Sequence, residues 1–292
     1  MRGGGHVGAT AMLLGGVFAC STAVIMIKAS TVHPLALSAF RLLIAGLALL
    51  PLFLRATRRH RDAVGPALLA RAAPPAVFLA LHFITWTLGA RMTLAANASL
   101  IVNMVPVAMP LLLHAMLRER VGRGERRGTA LAIAGVLLLG LSAARVSLAT
   151  LAGDAICLVS MLLFAAYLVL GRVNRAVPSI WLYVVPLYLL AGLLCLLVAL
   201  PVPGAIGRLP AREAALLLGL GLVPTVLGHS ALMRAMKVLP PQRVAILNLG
   251  QFVFAGVLAG LIFGEVPGPL FYAATALLLA GTVTAIRAPS AA

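Results

Sequence analysis

Polar and aromatic side chains that could bind a small solute lie inside the long apolar runs of this sequence. Amide and imidazole groups can both donate and accept hydrogen bonds, so they suit a zwitterion such as an α-amino acid. They are costly in hydrocarbon unless they face a cavity or a partner. The candidate substrate-binding residues are His82, Trp86, Ser99, Asn103, Tyr167, His229, Asn248 and Gln251.

The aromatic candidates each have a structural alternative. His82 and Trp86 are four residues apart, so they share one face of a helix. His82 could instead bond to a neighbouring helix, and Trp86 could lie at the membrane interface. His229 and Tyr167 could likewise line a cavity or have a structural role. For His229, the structural alternative is a place near the membrane interface, because it is closer to the end of its apolar run.

A second group follows the spacing of a single helical stripe. Ser99, Asn103, Pro106 and Pro110 are separated by four, three and four residues. The prolines free backbone carbonyls that cannot face lipid, so a polar, kinked stripe favours a pathway wall. The alternative is that Asn103 and Ser99 hold two helices together.

The corresponding later run carries two amides three residues apart, Asn248 and Gln251. They could bind a zwitterion or lock helix packing, and the spacing does not decide between these roles. Pro224 lies in the run before them and is the third candidate kink.

Several kinds of chemistry are missing from the sequence. It contains no Walker A, HExxH, GxGxxG or GxSxG pattern, and no metal-ligand spacing of Cys or His. We therefore predict no catalytic residue, no metal and no cofactor. All six acids lie at run ends or in loops, which argues against proton coupling through a central carboxylate. Histidine remains the candidate if protons couple, and downhill transport fits equally well.

The composition indicates what positions these residues. The chain has 292 residues, of which 62% are hydrophobic and 10% charged, so we expect a polytopic membrane protein. Runs of about 20 residues without strict alternation favour helices over barrel strands. Ten spans are predicted, at 8–28, 34–54, 70–89, 93–117, 125–143, 151–172, 179–200, 211–233, 240–263 and 267–287.

The basic residues predict the orientation of these spans. With a cytoplasmic N-terminus, 17 of the 23 Lys and Arg fall inside, 5 fall outside, and Arg41 lies within a span. This bias predicts that both termini are cytoplasmic, and it explains the net charge of +17 without nucleic-acid binding. The partner of Arg41 is left open between a carbonyl and Asp154.

The two halves of the sequence resemble each other at a shift of 146 residues. This shift places Phe18 on Phe164 and Glu119 on Glu265, and it places Gly135 on Gly281. Five spans per copy turn the second copy upside down, which is the plan of many secondary transporters. We therefore predict an all-α membrane fold with ten transmembrane helices in two inverted five-helix repeats, over 8–143 and 151–287.

The sequence resembles the drug/metabolite transporter superfamily of EamA type over about residues 8–287. The resemblance rests on Phe18 before Lys28, on Pro34 before Arg41, on 103–106 through 117–119, and on 262–265. The general pattern is similar to the aromatic amino-acid exporter subgroup. This resemblance implies a multi-pass protein of the bacterial cytoplasmic membrane that exports amino acids or similar small metabolites.

The sequence therefore predicts a secondary transporter working by alternating access through a central cavity. A mainly apolar lining favours amino acids with apolar or aromatic side chains. The predicted partners are a small-molecule substrate and the lipid bilayer, and the oligomeric state is left open. The alternatives are a membrane-embedded enzyme acting on lipid and a broad-specificity drug/metabolite exporter.

Overall fold

The computed structural model describes residues 3–118, 122–173, 177–238 and 247–287. All α-helical and π-helical segments below belong to these ranges, which contain no strand. They are α1 Gly3–Ala29, α2 Pro34–Ala48, α3 Leu50–Arg59, α4 Pro66–Met92, α5 Ala95–Val102, α6 Val105–Leu117, α7 Arg123–Val146, α8 Leu148–Val173, α9 Ile180–Ala199, α10 Ala211–Leu220, a π-helical segment Gly221–His229, α11 Ser230–Val238, α12 Gly250–Phe263 and α13 Pro269–Arg287.

The described helices include five that are long and apolar enough to cross a membrane, or six if α2 and α3 form one span. The axes of α2 and α3 differ by 46°. Two shorter apolar helices lie at Gly250–Phe263 and Pro269–Gly281. The figure of ten spans therefore stays a prediction. The five long segments are Ala11–Ala29, Pro66–Met92, Leu148–Gly171, Ile180–Ala199 and Ala211–Ala235.

The fourth predicted span is broken, so the expectation of one continuous helical stripe was wrong. Helix α5 ends at Val102 and α6 begins at Val105, with Pro106 in the first turn of α6. Proline has no N–H and suits the start of a helix better than its interior. Ser99 and Pro110 therefore lie on two separate helices. The side chains of Pro106 and Pro110 are outside the described residues.

The eighth predicted span changes helix type at Gly221, and Pro224 lies inside the changed segment. Residues Gly221–His229 are π-helical, and the Thr225 hydroxyl donates to the Leu220 carbonyl at 2.9 Å. Proline removes a backbone donor and so disturbs the hydrogen bonding of the helix. Proline and π-helical segments bend helices, and π-helical segments are frequent at functional sites.

The 146-residue shift reappears in the packing of α2 against α9. A methyl group added at Gly46 would lie 2.6 Å from Leu189, and one added at Gly192 would lie 2.9 Å from Leu43. The shift of 146 residues places Gly46 on Gly192 and Leu43 on Leu189. The two contacts are therefore copies of each other. As α2 ascends from Leu43 to Gly46, α9 descends from Gly192 to Leu189. The equivalent helices therefore pack antiparallel about an approximate twofold axis.

Helices α7 and α13 repeat this relation. Gly135 packs against Leu278, and Gly281 packs against Ala132, again with both members offset by 146 residues. Among the other helices, α4 lies against α8 and α9, and α1 lies against the π-helical segment, α11 and α12. These helices hold most of the predicted site.

Candidate substrate-binding site

His82 on α4 is held by Ser160 on α8. The His82 Nδ1 atom lies 2.8 Å from Ser160 Oγ and 3.0 Å from the Ser160 carbonyl oxygen. The Ser160 hydroxyl also lies 3.0 Å from the His82 carbonyl oxygen. Both side chains are buried. This contact joins the two predicted repeats and corresponds to the helix-to-helix alternative for His82.

An aromatic cluster surrounds this histidine. It is formed by His82, Phe83, Phe164, Tyr167 and His229. The Phe164 ring stacks on His82 with centroids 4.6 Å apart and on Tyr167 at 5.8 Å, and it meets His229 at 5.9 Å. The structure therefore brings together three of the predicted site residues, His82, Tyr167 and His229, from three different elements.

Arg41 on α2 lies against this cluster. Its guanidinium carbon is 4.3 Å from the centroid of the Phe83 ring, and its Nε donates to Thr225 Oγ1 at 2.8 Å. The side chain is only 1% exposed. Among the described residues no ion pair includes Arg41. Its polar partner is therefore a hydroxyl of the π-helical segment.

The expectation that Asp154 or a carbonyl pairs with Arg41 was wrong. Asp154 instead accepts hydrogen bonds from the Thr93 hydroxyl and from Asn97 Nδ2, the latter at 3.2 Å. The physical reason is that Asp154 lies near the beginning of α8, where the α4–α5 connection passes.

Several buried polar atoms near Arg41 have no hydrogen-bond partner within the described part of the chain. Buried donors and acceptors in proteins are almost always paired, and an uncompensated buried charge is strongly unfavourable. Unpaired groups of this kind make the surroundings of Arg41 a candidate ligand site. The relevant atoms are Arg41 Nη1, Tyr167 Oη, Tyr188 Oη and His229 Nδ1.

Tyr188 and Arg41 were not among the predicted ligand residues. Tyr188 is only 1% exposed because α9 packs directly on α2. Arg41 did carry a signal, since it is the cation predicted within a span with no acid near it in sequence.

A chain of amides forms a second polar group. Asn103 donates to the Ser99 carbonyl at 2.8 Å, Asn248 donates to Asn103 Oδ1 at 3.0 Å, and Gln251 donates to Asn248 Oδ1. We call these the amide chain. It links the break between α5 and α6 to the start of α12, and thus the first predicted repeat to the second.

Two other predicted residues occupy different surroundings. Trp86 is buried in the main hydrophobic core, which is inconsistent with a position at the membrane interface. The carbonyl of Pro224 lies 3.5 Å from Cys20 Sγ, so the distorted π-helical segment packs against α1.

A network of charged side chains lies at one end of the helices. Lys28 pairs with Glu265 at 2.7 Å and donates to the Thr93 carbonyl at 2.7 Å. Glu265 also accepts from the backbone N–H of Ala95 at 2.7 Å. We call this end the Glu265 face. The side chains of the pair are 17% and 14% exposed, so it is shielded from water.

The same face contains further links between α1, α4 and α10. Arg91 donates to the Ser30 carbonyl at 2.7 Å, and Glu213 accepts from the Ser30 hydroxyl at 2.6 Å and from the Thr31 N–H at 3.2 Å. Arg212 pairs with Glu213 at 2.7 Å. Lys28 is therefore held within a network that joins several helices.

The sequence matches the EamA-like transporter family over residues 6–141 and again over 151–287. The chain belongs to the EamA-like transporter family. A crystal structure shares the fold with a TM-score of 0.68 and 19% identity, covering 96% of this chain and 97% of that one. A search of curated proteins finds no match.

Membership in the EamA-like family confirms part of the sequence prediction. It establishes a multi-pass membrane transporter of small metabolites built from two copies of one repeat, and it does not describe an enzyme. The exact repeat boundaries, 8–143 and 151–287, stay predictions. In the described part of the chain, no three His, Cys, Asp or Glu residues are grouped to hold a metal ion.

Proposed function

We propose that this EamA-like transporter exports amino acids with apolar or aromatic side chains from the bacterial cytoplasm by alternating access. The observation that carries the proposal is Arg41, a buried guanidinium with one unpaired nitrogen and no ion-pair partner among the described residues. A planar guanidinium matches the two oxygens of a carboxylate. A substrate carboxylate would therefore supply the missing counter-charge.

The surroundings of Arg41 favour an apolar or aromatic substrate side chain. The Phe83 ring lies next to the guanidinium, and Phe164 and Tyr167 belong to the same aromatic cluster. Offset or edge contacts between rings are favourable. The unpaired His229 Nδ1 and Tyr188 hydroxyl offer polar contacts beside the rings. This combination binds one charged end and one apolar end of a small molecule.

We propose the amide chain as a further polar contact along the substrate pathway. An amide oxygen accepts from an ammonium group, and Asn248 and Gln251 are only partly buried. The competing role is a lock between repeats, because the amides already bond to one another. A substrate that lacks the amino group distinguishes these two roles.

Alternating access is supported by the antiparallel packing of equivalent helices. Inverted repeats allow two half-structures to exchange roles and to expose the site first on one side and then on the other. We propose that the Glu265 face is the outer face and is closed in this state by its ion pairs. Both termini then lie in the cytoplasm, as the distribution of Lys and Arg predicts.

The alternative of a broad exporter for lipophilic cations is less compatible with this centre. Such a substrate requires a buried anion, whereas the described interior places the cation Arg41 next to the aromatic cluster. A lipid-directed enzyme would need grouped acids or a nucleophile–base pair, whereas the buried acids Asp154, Glu213 and Glu265 are already engaged in hydrogen bonds and ion pairs on the Glu265 face.

Arg41→Gln in proteoliposomes tests the proposal. We expect counterflow exchange of phenylalanine or leucine to fall about 100-fold, because breaking a buried charge pair costs about 2–5 kcal/mol. The thermal stability of the empty protein should be unchanged or higher, because the substitution removes an uncompensated buried charge. A purely structural role for Arg41 predicts the opposite effect on stability.

Arg58→Gln is the matched control, since Arg58 is exposed at the end of α3. The second arm uses the amide of each amino acid, which lacks the carboxylate. Equal exchange of phenylalanine and phenylalaninamide by the unmodified protein would contradict the role of Arg41. No exchange of any amino acid would remove the proposed substrate class.

A further inference from the structure

A cavity of about 680 Å³ lies at the end of the helices opposite the Glu265 face. Thr31, just before α2, bonds to Glu213 on the Glu265 face, so the far end of α2 points to the opposite side. Glu213 lies near the start of α10, and the chain runs from there through the π-helical segment to α11 on that opposite side. We call it the basic cavity. Its described lining comes from α1, from the α2–α3 bend, from the start of α9, and from the π-helical segment with α11.

Positive charge dominates the polar lining of the basic cavity. Arg55, Arg59 and His60 come from the end of α3, and Arg234 comes from α11. No Asp or Glu is among the described lining residues. Three arginines from two elements that face one cavity without an acid create a site for an anion.

An unpaired hydroxyl lies in the same cavity. Ser230 is 8% exposed, lines the cavity, and its Oγ has no hydrogen-bond partner among the described residues. Buried hydroxyl groups usually find a partner. This second observation, independent of the arginines, points to a ligand with acceptor oxygens.

Arg234 is oriented by an aromatic contact. Its guanidinium carbon lies 5.5 Å from the centroid of the Trp181 ring, and Trp181 also lines the cavity. A stacked guanidinium loses less freedom when it binds a phosphate. The tryptophan also provides a fluorescent reporter at the site.

The cavity is bordered by apolar side chains that remain exposed. Leu52 is 37% exposed and Leu227 is 61% exposed, and both are lining residues. Helix α3 is bent by 46° from α2 and carries Arg58 and Arg59 in its last turn. This geometry suits a molecule whose charged group enters the cavity while its apolar part stays along the leucines.

We propose that the basic cavity binds the headgroup of an anionic phospholipid, with the phosphate between Arg55 and Arg234 and an oxygen accepting from Ser230. Basic pockets between membrane helices are known to bind such headgroups. The exposed leucines favour a lipid over a soluble phosphate, because they would contact its acyl chains. Arg41 and the aromatic cluster are not among the described lining residues, and the proposal does not depend on the transported substrate.

Native mass spectrometry of the full-length, delipidated protein tests the proposal. The probe is an equimolar mixture of phosphatidylglycerol and phosphatidylcholine with identical acyl chains. We expect phosphatidylglycerol to bind at least tenfold more tightly. Arg55→Gln with Arg234→Gln should reduce its binding to about the level of phosphatidylcholine, since each arginine near a lipid surface contributes about fivefold.

The matched control is Arg58→Gln with Arg61→Gln, which removes two exposed cations of the same segment that do not line the cavity. Equal losses in the two double variants, or equal binding of the two lipids, would overturn the proposal. If the double cavity variant does not fold, Arg55→Gln alone should weaken phosphatidylglycerol about fivefold, and no change would overturn it.

A fluorescence titration separates a lipid from free phosphate. In a Trp86→Phe background Trp181 is the remaining tryptophan. We expect its emission to saturate with dihexanoyl phosphatidylglycerol and to stay constant with inorganic phosphate at the same concentrations. Saturation by inorganic phosphate at equal concentration would show a solute site and contradict the lipid assignment.

Discussion

The guanidinium of Arg41 is oriented by its two neighbours before any substrate arrives. Thr225 accepts from Nε, and the Phe83 ring lies below the planar group. The Nη atoms are thus the ones left for a ligand, and one of them is unpaired. Lysine could not reproduce this arrangement, because its ammonium group is not planar and has no fork of donors.

Ser160 supports the aromatic cluster through His82. Ser160→Ala removes the hydroxyl that lies 2.8 Å from His82 Nδ1 and 3.0 Å from the His82 carbonyl. We expect the free energy of unfolding to fall by about 1 kcal/mol, the usual net value of a buried hydrogen bond. The measurement is the midpoint of thermal unfolding in detergent.

Thr284→Ala is the control for this prediction, because its hydroxyl bonds to Ala280 at an exposed position of its own helix. Identical midpoints for the two variants would show that His82 does not depend on Ser160. Both variants keep Arg41 and His229, so the comparison isolates the hydroxyl of Ser160.

Sequence patterns could identify the polar residues at the centre but not their partners. His82 was visible as an imidazole inside an apolar run, whereas Ser160, its partner on a distant helix, carried no signal. Arg41 was visible as a cation within a span. Its contact with Thr225 depends on the π-helical segment, and no propensity predicts that a span of this composition changes its hydrogen-bond register.

At the scale of helices, close contacts between small residues fix how the two copies meet. Gly46 and Gly192 lie at equivalent points of α2 and α9, and Gly135 and Gly281 lie at equivalent points of α7 and α13. Membrane helices approach closely where side chains are small, because lipid offers no hydrophobic driving force between them. The 146-residue shift was predictable from sequence, whereas the broken helix before Pro106 was not.

Gly281→Ala tests this packing. The added methyl group would lie 2.6 Å from the Gly128 carbonyl oxygen and 2.8 Å from the Ala132 nitrogen. Backbone atoms cannot move aside as a flexible side chain can, so we expect a loss of about 1–3 kcal/mol in unfolding free energy. Thermal unfolding in detergent measures it.

Gly15→Ala provides the comparison, since nothing lies within 4 Å of the added carbon. Its helix should be stabilised by about 0.4–1 kcal/mol, because alanine restricts the unfolded chain. A stable Gly281→Ala protein would mean that α7 and α13 separate more easily than the contact geometry indicates.

At the scale of the whole molecule, the Glu265 face connects helices that alternating access must separate. Lys28 on α1 reaches both Glu265 beyond α12 and Thr93 between α4 and α5. Thr93 donates to Asp154 on α8. Arg91 and Glu213 extend the links to Ser30. Because these bonds share members, loss of one central ion should loosen the others.

Lys28→Met tests whether this face opens as one unit. We expect hydrogen exchange to rise about tenfold at two amides of different segments, Ala95 and Thr31, since about 1.4 kcal/mol of closing free energy corresponds to one order of magnitude. These amides donate to Glu265 and Glu213, respectively. Arg212→Gln is the control, because Arg212 is 64% exposed and such pairs contribute little. Faster exchange at Ala95 with no change at Thr31 would show two independent contacts, and the ion pairs would then not form the closed gate that alternating access requires.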